Sequence, residues 1–474
     1  MAYGSLVAKR CLFLSSRVSH VRCVADISLA DYCRASRILF SSKKYHYSTA
    51  SSPASEHTHD TSLQFEQPGG AGLTTPARLS TIPLAGYVDL SQRRALIEVS
   101  GKDAFRFLHG LLTNEPPIGT DGIYASFLNV RGRVVYDVFI YPTLHNKKWT
   151  QLNPLQDPES QSYLVEHDSF VTSQLLTYLK FRKLRDQVNL RTVDDWKVWC
   201  AWEEFPENLT MRRISGEPTE YDLNPYLRKP ASFIGANDLR APGFGVRMVL
   251  STEAENPLWP LRVYEEGRVE NFVQADLDTY DRRRISYGIP EGREDFVPGS
   301  MLPMESCIDM MGGINFSKGC YVGQELTTRT KHIGVVPRRI VPFALYDLAS
   351  SNPPPEAPEY DPDIALPDTD TLGYKSPIIS ASESPKVNAK GEIARPLGTI
   401  VSRNGNIGLA TVRMAVIEQG ATATCRVVPR KKDGELDFEV TGDPNRGIGI
   451  RIFRPYWWEK DAGMPSNSAT VEEK

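Results

Sequence analysis

Asn315-Phe316-Ser317-Lys318-Gly319-Cys320-Tyr321-Val322-Gly323-Gln324-Glu325, preceded by Gly312-Gly313-Ile314 and followed by Leu326-Thr327-Thr328-Arg329, is the stretch around which the chain is organised. Cys320 follows a glycine, where the backbone bends freely, and stands two residues from Lys318, whose positive charge favours a thiolate. A helix starting at or soon after Gly323 places Glu325, Arg329 and His332 at i, i+4 and i+7, a polar face just beyond the cysteine. The residues alone also allow a plainer reading, in which Cys320 is a small buried residue in a glycine-bounded turn and Glu325 and Arg329 are a solvated helix pair.

The string Lys-Gly-Cys-Tyr-x-Gly-Gln-Glu resembles the signature of the YgfZ-type branch of the folate-binding family related to the T-protein, the aminomethyltransferase of glycine cleavage. Arg284-Ile285-Ser286-Tyr287-Gly288-Ile289-Pro290-Glu291-Gly292 and Leu302-Pro303-Met304-Glu305 resemble the same family. The resemblance covers residues 85–345 and, more weakly, 396–455. It implies an α+β, multi-domain, T-protein-like folate-binding fold that ends in a small C-terminal β-barrel.

The first 50 residues hold eight Lys or Arg and two Asp, a balance of +6 that leaves −9 for residues 51–474 of the whole-chain −3. Rich in Arg and Ser and poor in acid, residues 1–47 have the composition of a mitochondrial transit peptide, the alternative being a basic tail. Together with the cysteine string, this leader points to the mitochondrial iron-sulfur cluster assembly members of the family, acting in the matrix. The acidic remainder argues against a sequence-independent nucleic-acid surface. No apolar run reaches eighteen residues, so no membrane span is expected. Beyond the leader remain Cys200, Cys307, Cys320 and Cys425, with no Cys-x-x-Cys pair, so local cysteine spacing encloses no metal site.

Composition divides the rest. Residues 48–80 are Ser-, Thr-, Pro- and Gly-rich and read as a disordered linker. A first α+β domain is expected over 81–195, a second over 196–265, a return to the first over 266–339 carrying the cysteine motif, a barrel over 340–455 and a tail over 456–474. Within the barrel, 348–395 reads as a disordered, dispensable insertion, and 143–162 as a smaller polar one. Val273 to Arg293 reads as one helix. Ala125–Val130 and Val134–Tyr141 form a hairpin around Arg131-Gly132-Arg133. On its second strand Asp137 shares a face with Val135, Phe139 and Tyr141, either at a wet sheet edge or as a desolvated carboxyl with a raised pKa. The basic run Lys180–Arg185 complements a helix end or faces a polyanion.

Two classes of function follow from the resemblance. The first is a folate-dependent one-carbon transferase, with tetrahydrofolate as cofactor and Asp137 in the position of the family's catalytic aspartate region. Here Gly132-Arg133-Val134-Val135-Tyr136-Asp137 departs from the family's Gly-Gly-Ile/Val-x-Asp-Asp at Arg133 and Tyr136. The second, preferred, is an assembly factor rather than a turnover enzyme. A transient iron-sulfur cluster would be held by Cys320 jointly with a partner's cysteines, since clusters usually take four. Lys318 would keep Cys320 ionised, Tyr321 would stack or hydrogen-bond nearby, and Gln324, Glu325 and Arg329 would orient the site, with Gly319 and Gly323 shaping its backbone. The implied partners are A-type scaffold proteins and recipient [4Fe-4S] apoproteins.

Overall fold

The computed structural model describes residues 82–461 apart from 156, 205–231, 255–271, 351, 368–371, 383–386, 389–391, 421–422, 430–435 and 437–446. The leader and linker expectations, 1–47 and 48–80, lie outside the described residues. After β1 (Ala85–Asp89) come five strands forming an antiparallel sheet in the order β3-β4-β5-β2-β6: β2 (Arg94–Gly101), β3 (Ile123–Leu128), β4 (Val134–Pro142), β5 (Gln161–Asp168) and β6 (Asn189–Val193). Strand alternation gives this sheet two buried faces. Ile97, Val99, Val138, Ile140 and Val165 point to one side, against α1 (Ala104–His109). α2 (Lys147–Leu152) lies between β4 and β5, and α3 (Thr172–Lys183) contributes Leu175 and Leu179 to the same face as α1. Leu96, Phe139, Tyr141 and Leu164 point to the other side.

That second face packs on another five-stranded sheet, ordered β10-β1-β7-β9-β8, built with β7 (Trp196–Glu203), β8 (Ile234–Asn237), β9 (Val246–Ser251) and β10 (Val273–Gln274). β1 runs antiparallel to β7 and parallel to β10. The expected boundary at 195/196 is therefore corrected: β1 and β10 complete the second sheet from either side of the first. Pairing between strands so distant is carried by backbone groups and leaves no mark in composition.

Other expectations also change. Within 143–162, α2 buries Trp149 against Trp196, ring centroids 5.3 Å apart, a burial worth about 2–3 kcal/mol. The expected helix 273–293 resolves into β10, α4 (Leu277–Ser286) and α5 (Gly292–Asp295). It is broken where Gly288 takes φ +72° and Pro290 follows. α6 (Gln324–Ile333) starts directly after Gly323, where the motif placed it.

The chain ends in a closed barrel, β11-β14-β13-β12-β15-β16, formed by β11 (Arg338–Asp347), β12 (Pro377–Ser380), β13 (Gly398–Asn404), β14 (Ile407–Arg413), β15 (Cys425–Val427) and β16 (Ile448–Ile452), with α7 (Met414–Gln419) after β14. Two corrections fall here. The described part of 348–395 is not a disordered insertion, because β12 bridges β13 and β15 and Leu372, Ser376, Ile378 and Ile379 are buried. Nor is 456–461 a tail: Trp457 and Trp458 are buried, and the Trp457 indole donates to Tyr287 O at 2.7 Å. No helix among the described residues is long and apolar enough to cross a membrane.

Candidate functional site

The cysteine motif is fastened to the end of α1 on both sides of Cys320. Ahead of it, the Lys318 ammonium donates to the carbonyls of His109 (2.6 Å) and Leu112 (2.7 Å), and behind it Val322 N donates to Gly110 O (3.1 Å). Carbonyls past the last helical turn carry partial negative charge and lack intrahelical donors, which is why a lysine is held there. Partial burial draws the Lys318 ammonium down to about 8, against the pull of Glu115. The ammonium also lies 4.8 Å from the Tyr321 ring centroid. Among the described residues it makes no hydrogen bond to the thiol, so the bonds of Lys318 hold the loop rather than Cys320 itself.

Tyr321 is buried beneath the loop, and burial pushes its phenol up to about 12. Gln324 accepts from Tyr321 N at 3.2 Å and closes the turn into α6. Glu325 and Arg329 project into solvent. Cys320 is exposed, whereas Cys200, Cys307 and Cys425 are buried. Burial pushes the Cys200 and Cys307 thiols up to about 12 and that of Cys425 to about 11. Thiols held protonated in apolar surroundings are poor nucleophiles and ligands. Of the two sequence readings of Cys320, the buried one is excluded.

Two glycines set the motif's position relative to the β3–β4 hairpin. Gly323 has φ +81° and Gly132 has φ +73°, and a Cβ on Gly323 would stand 2.3 Å from Asn129 O. Both the left-handed backbone and the close approach exclude a side chain. Gly323→Ala is therefore expected to lower stability by about 1–3 kcal/mol and displace the cysteine loop. Thermal denaturation together with the alkylation rate of Cys320 measures both effects.

His109 was missed by sequence reasoning. Its ring lies against Gly319, where an added Cβ would come within 2.9 Å of Cε1. Burial and the neighbouring Lys318 lower its pKa. A histidine in the last turn of a short helix carries no sequence signal that links it to a cysteine two hundred residues away.

Asp137 belongs to a different site. It is buried on the inter-sheet face of β4, sharing that face with Phe139 and Tyr141 as the alternation predicts. Its carboxylate accepts from Arg94 Nη1 and from Gly292 N, both at 3.1 Å. Burial raises its pKa, with Arg94 pulling the other way. Next to it Glu166 accepts from Arg94 Nε (2.7 Å), Arg247 and Tyr141. Arg247 and Arg240 in turn share Asp238 and Glu291, with the Tyr280 hydroxyl donating to Glu291 at 2.9 Å. Burial alone would raise the Glu291 carboxyl, but Arg247, Arg240, Arg94 and Arg284 overcome it and hold it well below the usual range. This buried network ties β2, β4, β5, β9 and the α4–α5 connection together. Among the described residues no group of three or more His, Cys, Asp or Glu is placed to hold a metal ion.

Residues 338–460 match the family described as CAF17, C-terminal beta-barrel domain. The iron-sulfur cluster assembly factor IBA57 homolog, mitochondrial, of Aspergillus fumigatus is 39% identical over 83% of this chain and 81% of its own. The homologue of the same name from Neurospora crassa is 34% identical over 82% of this chain and 86% of its own. Among solved structures, the glycine cleavage system aminomethyltransferase T from Bartonella henselae superposes with a TM-score of 0.47 and 14% identity, covering 80% of this chain and 87% of that one. Identity at this level over four-fifths of both chains shows the family, and this chain belongs to the mitochondrial iron-sulfur cluster assembly factors of the IBA57 type.

Proposed function

We propose that the chain acts in the mitochondrial matrix in the maturation of [4Fe-4S] proteins, holding an iron-sulfur cluster transiently through the Cys320 thiolate together with cysteines of an A-type scaffold partner. The observation that carries this reading is exposure: of the described cysteines Cys320 alone is open to solvent, on a loop pinned at both ends. One thiolate cannot hold a cluster that usually takes four, so the remaining ligands come from a partner, and the cluster is cargo. Passing it on replaces each of the iron-bound thiolates by one of the recipient's, with no change in oxidation state.

One-carbon transfer from folate makes a different demand, room for a pteridine beside an available carboxylate. Arg94 Nη2 and Tyr124 Oη are buried without a hydrogen-bond partner among the described residues. Yet Asp137 is already held by Arg94 and Gly292, and the crevice beside it, lined by Tyr136, Asp168, Gly292, Arg293 and Phe296, measures about 10 Å³. Ligand pockets run to roughly 300–1,000 Å³. The residues around Asp137 do not fit tetrahydrofolate in this arrangement; folate titration followed by calorimetry tests its binding directly.

The test of the assembly reading is reconstitution of the protein with an A-type scaffold, iron and sulfide, with and without folate, followed by absorbance and Mössbauer spectroscopy. Cys320→Ser is expected to keep its thermal stability and lose the shared cluster. Cys200→Ser and Cys425→Ala should leave the cluster largely intact. In cells carrying Cys320→Ser as the sole copy, [4Fe-4S] enzyme activity should fall most in air. Full activity there, with an unchanged cluster spectrum, would remove the cysteine from the mechanism.

A further inference from the structure

Exposed apolar side chains lie on the elements that adjoin the Cys320 loop. Ile333 and Val335 are each 85% exposed, Val130 74% and Phe316 38%. They are brought together by contacts already described or close to them. The β3–β4 turn that carries Val130 rests on Gly323 through Gly132. The last turn of α6 reaches back to Phe316, with Lys331 Nζ 4.9 Å from its ring centroid. Gly334 N donates to Thr330 O and directs Val335 onward from the end of α6. Solitary exposed apolar residues are ordinary, but several on elements linked to one another mark an interaction surface.

The charges interleaved with them are mostly positive. Arg131 and Arg329 are exposed, and neither side chain has a carboxylate partner among the described residues. Lys318 and Lys331 stand on the same motif, while Glu115 and Glu325 are the nearby acids. A thiolate-ligated cluster is itself anionic, because four thiolates and two sulfides outweigh two ferric ions. Complementary charge of this kind speeds encounter and fixes register.

We propose that Val130, Phe316, Ile333 and Val335, with Arg131 and Arg329 between them, form the docking surface for the protein that supplies the remaining thiolates. Its matching face is acidic, carries apolar side chains that cover Ile333 and Val335, and presents its cysteines toward Cys320. This inference rests on the cluster-sharing reading of Cys320, and the two can fail separately.

The experiment measures affinity for an apo A-type scaffold by calorimetry, and cluster sharing with the loaded scaffold by absorbance. Ile333→Asp/Val335→Asp should weaken binding by at least about tenfold, with the thermal denaturation midpoint unchanged because both side chains are in water. Arg329→Glu should weaken binding and flatten its dependence on salt. Leu239→Asp, an exposed apolar position on the β8–β9 connection, should bind as the wild type does. Cys320→Ser should bind the apo scaffold within about threefold of wild type yet share no cluster. Wild-type affinity in the Ile333→Asp/Val335→Asp variant overturns the surface, as does absence of any binding by the wild type. Lost binding in that variant, with a cluster still shared by Cys320→Ser, upholds the surface and overturns the thiolate.

Discussion

Arg247→Met is expected to cost about 3–5 kcal/mol of folding stability, a large part of the roughly 5–15 kcal/mol that holds a typical domain together. The Arg247 guanidinium is fully buried and bonds to Glu166, Asp238 and Glu291 as well as to the Tyr280 hydroxyl at 2.6 Å. Methionine fills much of the volume and packs against Phe139, over whose ring the guanidinium now lies at 4.4 Å. What it cannot do is compensate the carboxylates left in a medium of low polarity. Glu166→Gln added to Arg247→Met should recover part of the loss, because it removes one carboxylate charge that Arg247 had balanced, while Arg94 keeps its bond to Asp137. The exposed pair Lys148–Glu253 offers the contrast: Lys148→Met should cost less than about 1 kcal/mol. Urea denaturation of the three variants measures the series, and a loss below about 1 kcal/mol for Arg247→Met would show that the network stabilises nothing.

Deleting residues 348–395 and joining the ends with a short Gly/Ser bridge is expected to abolish the folded C-terminal unit. β12 pairs with β13 on one side and β15 on the other, so its removal opens the barrel and exposes two strand edges. Ile378 and Ile379 leave the core with it. A second attachment would go as well: Tyr360 stacks under Arg282 of α4 at 3.8 Å, and Asn406 bonds to Asp361 N and Glu359 O. The expected outcome is insoluble or protease-sensitive protein. Removing only 352–356, exposed or half-exposed residues outside every strand, should shift the melting temperature by less than about 2 °C. A 348–395 deletion that melts with wild-type cooperativity would show that the barrel closes without β12.

How much of this was legible in the sequence depended on the kind of signal. Local patterns read well: the hairpin around Gly132, the helix after Gly323, and the face that Asp137 shares with Phe139 and Tyr141. The same alternation puts Arg94, Glu98 and Glu166 on that face too, a charge every second residue in otherwise apolar strands. Applying to β2 and β5 the rule used for β4 would have exposed the network. Composition misled in 348–395, where proline-rich stretches surround one four-residue strand too short to announce itself. The motif singled out Cys320, which is exposed as the reactive reading requires, but the part played by Lys318 depends on where α1 ends in space, which no spacing along the chain encodes.

The placement of β1 has a consequence for how the protein comes into being. Ala85 pairs with Glu203 and Gly86 with Val273, so the first strand of the fold waits for residues synthesised far behind it. The barrel repeats the pattern, since Phe343 of β11 pairs with Ile452 of β16. Long-range pairings of this kind slow folding, because loop entropy is lost before contacts repay it. As the chain emerges from the ribosome or from a translocation pore, amino end first, Val88 and Leu90 have no neighbouring strand to cover them until β7 arrives. The assembly factor is thus a protein whose own nascent chain must be shielded, and mitochondria short of chaperone capacity would lose it ahead of proteins that fold from contiguous segments.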